Sequence, residues 1–124
     1  MANTLTPTLT LNSNTAPTNT PPLVFTETDV LATAVPIVET SQVSVGTGTA
    51  HQILDSTAQT AATYVYIKNE DATNFLFIKK DDGTTFGIIH PGEFCFFCVY
   101  PDQGLEILAD TATIIAEIGY WTKA

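Results

Sequence analysis

Tyr64-Val65-Tyr66-Ile67-Lys68-Asn69-Glu70-Asp71-Ala72-Thr73-Asn74-Phe75-Leu76-Phe77-Ile78-Lys79, residues 64–79, holds two short apolar runs separated by a polar cluster. β-Branched and aromatic residues dominate both runs, and the Asn and Asp side chains between them can hydrogen-bond their own backbone in turns. Neither run shows a helical period, so the stretch reads as strand, turn, strand. The same punctuation continues outward. Residues 85–89 meet His90-Pro91-Gly92-Glu93, residues 94–100 meet Pro101-Asp102-Gln103-Gly104, and residues 105–108 and 113–121 close the chain. Upstream, residues 42–45 stop at Gly46-Thr47-Gly48, and residues 49–54 run into a polar loop at 55–61. Val30-Leu31-Ala32 and Pro36-Ile37-Val38 are shorter apolar runs in a transition zone. Strands spaced roughly ten residues apart, with Pro-Gly and Asp-Gly turns, predict an all-β fold: an antiparallel β-sandwich, jelly-roll-like in type.

Before this body, residues 1–26 carry no charged side chain. Pro7, Pro17, Pro21 and Pro22 disfavour helix there, because each removes a backbone donor and biases the preceding residue toward extended geometry. Too few large apolar groups are present for a separate core. Leu5, Leu9 and Leu11 nevertheless alternate with Thr4, Thr6, Thr8 and Thr10, the period of a strand that buries one face. The segment therefore reads as an extended N-terminal arm, residues 1–26. It would pair with a sheet edge belonging to another subunit, with Leu5, Leu9 and Leu11 as anchors, ahead of a sandwich domain at residues 27–124.

Thirteen acidic residues against four lysines and no arginine give a formal net charge of −9 and a pI near 4.2. Such a surface repels phosphates and anionic lipid, and it lacks the guanidinium that reads them bidentately, so neither nucleic acid nor membrane is expected as a partner. No apolar run approaches the roughly 20 residues of a spanning helix, and no secretory leader is expected.

Residue chemistry argues against catalysis, metals and cofactors. Cys95 and Cys98 have CxxC spacing but stand within Phe94-Cys95-Phe96-Phe97-Cys98-Val99-Tyr100, which reads as a strand. Residues three apart on a strand face opposite sides with α-carbons roughly 10 Å apart, too far for a disulfide or shared metal coordination. His51 and His90 have no Cys or His at ligand spacing. Glu70-Asp71 and Asp81-Asp82 fall in turns, and Asp81-Asp82-Gly83 lacks the calcium-loop pattern. No catalytic, cofactor-binding or metal residue is assigned.

Several strands are apolar on both faces, most clearly residues 94–100. Phe94, Phe96, Phe97, Val99 and Tyr100 cannot all reach one core from a single strand. A second covered face is implied, and with it an oligomer, in which Phe94, Phe96, Phe97, Tyr100 and Trp121 are the candidate interface residues of the sandwich.

Tyr66-Ile67-Lys68-Asn69, Asp71-Ala72-Thr73-Asn74, Pro91-Gly92-Glu93, Ala109 and Ala112 around a turn, and Glu117-Ile118-Gly119-Tyr120 together resemble a small β-sandwich virion protein of tailed bacteriophages. The resemblance covers about half of the chain. One departure is Lys79-Lys80-Asp81-Asp82, where a basic or neutral turn would stand. The resemblance implies a structural protein located in the virion and assembled in the host cytoplasm, of the head decoration or cement type. It would act as a homo-oligomer, a trimer being favoured, with the major capsid protein or neighbouring virion proteins as partners. A tail or neck component, or a carbohydrate- or receptor-binding sandwich, is the alternative.

Overall fold

The structure, a computed structural model, describes residues 3–13, 23–34, 40–58 and 60–124. The chain divides into two compact units, Met1–Ile37 with Ala124, and Val38–Lys123. All regular structure among the described residues is β.

In the first unit, β1 (Asn3–Leu5) pairs antiparallel with β4 (Leu31–Thr33), and β2 (Thr8–Asn12) with β3 (Val24–Thr28). One register runs through both pairs, with Leu5 opposite Leu31 and Leu11 opposite Phe25. Pro7 has no N–H to continue the ladder. The break between the pairs is bridged by Asp29 N–H, which donates to the Pro7 carbonyl at 3.1 Å. The alternation of Leu and Thr thus finds a strand partner within its own unit, in residues 23–33. Thr26 and Thr28 extend the threonine side of the ribbon and Phe25 its leucine side, and the segment is close enough in sequence to pair at low loop-closure cost. A boundary after Thr26 cuts through β3, and the second compact unit begins at Val38 rather than at residue 27. Pro17, Pro21 and Pro22, and the run Pro36-Ile37-Val38, lie outside the described residues.

The second unit holds β5 (Ser41–Val45), β6 (His51–Leu54), β7 (Thr63–Asn69), β8 (Leu76–Lys80), β9 (Thr85–Ile89), β10 (Phe94–Val99), β11 (Leu105–Ala109) and β12 (Ile114–Thr122). They form two four-stranded antiparallel sheets, ordered β10-β7-β12-β5 and β6-β11-β8-β9. Within the sheets the pairings nest, β5 with β12, β6 with β11, β7 with β10 and β8 with β9, as in one long hairpin rolled up on itself. The pairs β7–β12 and β8–β11 join the layers of the roll. This is the jelly-roll arrangement of a β-sandwich.

Alternate residues fill the space between the sheets. Val65 and Ile67 of β7, Ile114 and Ala116 of β12 and Val45 of β5 meet Leu76 of β8 and Leu105 and Ile107 of β11, all fully buried. Proline and glycine set the connections. In His90-Pro91-Gly92-Glu93, Glu93 N–H donates to the His90 carbonyl at 3.0 Å and Gly92 takes a φ of 78°, a type II turn with its usual residues. Tyr100-Pro101-Asp102-Gln103 turns similarly, but places the non-glycine Asp102 at a φ of 63°.

Asn69, fully buried at the end of β7, ties three connections together. Its amide donates to the carbonyls of Asn74 (2.8 Å) and Ile89 (3.1 Å), and its side-chain oxygen accepts from Asp71 N–H (2.9 Å). Its backbone accepts from Gly92 N–H and donates to the Glu93 carbonyl. The acidic turn residues cap backbone in the manner of Asx turns: Asp71 accepts from Thr73 and Asn74 N–H, and Asp82 from Thr84 N–H.

Candidate assembly surface

On β10 the side chains alternate as a strand requires. Cys95 and Phe97 pack against the core and Val99 is buried within it, while Phe94, Phe96 and Cys98 point away from it. The two thiols therefore stand on opposite faces and are both free. Burial pushes the Cys95 thiol up to about 11, against a smaller lowering from a hydrogen bond with the Ile67 backbone, so it stays protonated at neutral pH.

Antiparallel register assembles an outer face on the first sheet. Phe94 lies opposite Lys68, Phe96 opposite Tyr66, and Cys98 opposite Tyr64; across β7, Lys68 meets Glu117, Tyr66 meets Gly119, and Tyr64 meets Trp121. Phe94 and Phe96 remain 62% and 38% exposed, whereas Tyr64 is only 8% exposed. Gly119 leaves room for its neighbour: a Cβ there would come within 2.7 Å of the Trp121 ring. Tyr66 O–H donates to Glu117 Oε1 at 2.9 Å. Burial, and then that carboxylate, raise the phenol to about 12.

Phe94, Phe96 and Trp121 all stand on this face, Phe94 and Trp121 at opposite ends of it. It adds Tyr64 and Tyr66, whose place follows from the β7–β10 register, a long-range pairing that no local pattern signals. Phe97 and Tyr100 do not belong to it. Phe97 turns inward and meets Phe86 edge-on at 6.4 Å, and Tyr100 lies beyond the strand end, 80% exposed. Both line a separate pocket of about 250 Å³, with Phe86, Lys80 and Gln103 around it. Phe86 reaches that pocket from a bulge in β9, where Ile78 pairs with Gly87 and Lys79 with Thr85, leaving Phe86 without a partner.

In the first unit, Leu5 is half-buried and Leu9 and Leu11 are exposed. Leu9, Leu11 and Phe25 share one face of the β2–β3 ribbon with Glu27. The other face carries Thr8 paired with Thr28 and Thr10 with Thr26, their hydroxyls hydrogen-bonded at 3.0 and 3.3 Å.

Beside Lys68 and the Tyr66–Glu117 hydrogen bond, the described residues of the outer face offer apolar and aromatic contact area. No protein-family model, no curated protein and no solved structure matches this chain.

Proposed function

We propose that this chain is a structural assembly protein, of the kind that decorates and cements the head of a tailed phage, and that it works as a homo-oligomer. The observation carrying this reading is the outer aromatic face of the β10-β7-β12-β5 sheet, with Phe94 and Phe96 exposed on a chain otherwise rich in acidic groups. Contiguous apolar patches of this kind mark interaction surfaces on soluble proteins. The jelly roll itself serves capsid proteins and lectins alike, so the fold alone does not choose between them. The acidic surface suits a face turned away from packaged DNA. A protein that binds the assembled lattice better than the free subunit stabilises the shell by mass action.

Cosedimentation of the full chain with expanded, undecorated heads of the phage whose genome carries it tests the reading. Saturable binding, with a raised temperature of head disruption, is the expected result. Heads that neither bind the chain nor gain stability from it overturn the reading.

A glycan-binding role is the second reading. It is favoured by the exposed Tyr100 ring at the pocket that Phe86 and Gln103 also line. Saturable, Tyr100-dependent binding to an immobilised oligosaccharide panel would replace the decoration role.

A further inference from the structure

We propose that the Leu-bearing face of the β2–β3 ribbon of one copy docks on the outer aromatic face of the β10-β7-β12-β5 sheet of a second copy, with Glu27 set against Lys68. The inference rests on the assembly reading and names the partner segment. A two-stranded ribbon is marginal alone in water, and all ten residues of β2 and β3 are exposed. Its faces differ in chemistry: one carries two hydrogen-bonded threonine pairs with Asn12 and Val24 at its end, while the other groups Leu9, Leu11 and Phe25 beside Glu27. The outer sheet face presents the complementary need, Phe94 and Phe96 exposed beside Tyr66.

Charge selects the register. Glu27 is the sole charged residue of β2 and β3, stands on the Leu face, and makes no ion pair among the described residues. Lys68 is the sole cation of the four strands β10, β7, β12 and β5, lies in the outer row between Phe94 and Glu117, and likewise makes no ion pair. The Glu117 carboxylate is engaged by Tyr66. With Glu27 at Lys68, one two-residue step of roughly 6.7 Å along the ribbon carries Leu11 and Phe25 onto the row of Phe96 and Tyr66. Because each copy can give a ribbon and receive one, the contact is head-to-tail, and a ring of copies satisfies all of them.

Sedimentation equilibrium of the full chain tests this. The wild-type chain should self-associate. Glu27→Lys and Lys68→Glu should each weaken association about tenfold, and the two together should restore it to within about threefold of wild type, with circular dichroism unchanged throughout. Leu11→Asp, at an exposed position, should also dissociate the oligomer. A monomeric wild-type chain, single charge variants that associate normally, or a double exchange no tighter than the singles would each overturn the docking. An oligomer indifferent to Glu27, Lys68 and Leu11 that still binds heads would remove this contact and leave the assembly reading standing. Association through Glu27 and Lys68 without head binding would do the reverse.

Discussion

Tyr64 and Phe96 lie with ring planes within 6° of parallel and centroids 6.2 Å apart, stacked across the β7–β10 pair on the outer side of the sheet. They are diagonal rather than direct partners, since Phe96 lies opposite Tyr66 and Cys98 opposite Tyr64. Diagonal neighbours on a sheet are within reach of one another only for long or aromatic side chains. The stack orients the Phe96 ring along the outer side of the sheet.

From this contact, Phe96→Ala should cost about 1 kcal/mol of folding stability, the worth of an aromatic pair, because the ring is not in the core. Phe97→Ala, one residue along, should cost about 2–3 kcal/mol, because its ring packs against the core and Phe86. Urea denaturation of the two variants measures the difference. Phe96→Asp should in addition abolish self-association, read by sedimentation.

Asn69→Leu should be among the most damaging single substitutions. It leaves the Asn74 and Ile89 carbonyls and the Asp71 N–H without their side-chain partner, and a loss of about 2–4 kcal/mol is expected from unsatisfied buried groups. Urea denaturation provides the measurement. Hydrogen exchange should show the 70–75 and 90–93 connections opening first.

Stability should fall at both ends of the pH scale. Hydrogen bonds from Thr73 and Asn74 hold Asp71 below its ordinary value, and those from Thr57 and Thr84 do the same for Asp55 and Asp82. A depressed carboxylate contributes stability above its unfolded value of 3.8, and that contribution is lost as the pH falls through the lower folded value. Tyr66 and Cys95 are raised instead, to about 12 and about 11. Their neutral forms are favoured in the fold, so stability declines as the pH rises from 9 through about 12. Thermal melts across pH should show both losses, and Tyr66→Phe should weaken the alkaline one.

The thiols should react unequally. Cys98 is exposed on the outer face, whereas Cys95 packs against the core with a raised thiol pKa. One equivalent of a thiol reagent should label the native protein rapidly at Cys98, and Cys95 should follow only on denaturation. Cys98→Ser should remove the fast phase.

Asp102 sits at a φ of 63° in the Pro101 turn, a region L-residues occupy at a cost that Asp and Asn bear best. Asp102→Val should destabilise by about 1–2 kcal/mol, and Asp102→Gly should be near neutral. Comparative urea denaturation decides the point.

Strand identity was legible along most of the body because it depends on local alternation and turn residues. Residues 85–89 and 94–99 carry both, and form β9 and β10. The opposite-facing thiols follow from the same two-residue period. Less was legible at the N-terminus: the alternation of Leu5, Leu9 and Leu11 with threonine announced a strand, but not that residues 23–33 would be its partner. The outer face was legible one strand at a time, Phe94 and Phe96 on β10 and Tyr64 and Tyr66 on β7, without any sign that they adjoin.

The sequence by itself determined the all-β class, the positions of the turns and which residues on each strand share a side, because these depend on backbone sterics and period-two geometry within a few residues. Only the tertiary structure decided the nested order of the strands, the side to which Phe97 and Phe86 turn, and the meeting of Lys68 with Phe94 and Glu117. Those depend on register and bulges between segments far apart in the chain. A shift of one residue there exchanges the core face for the outer one.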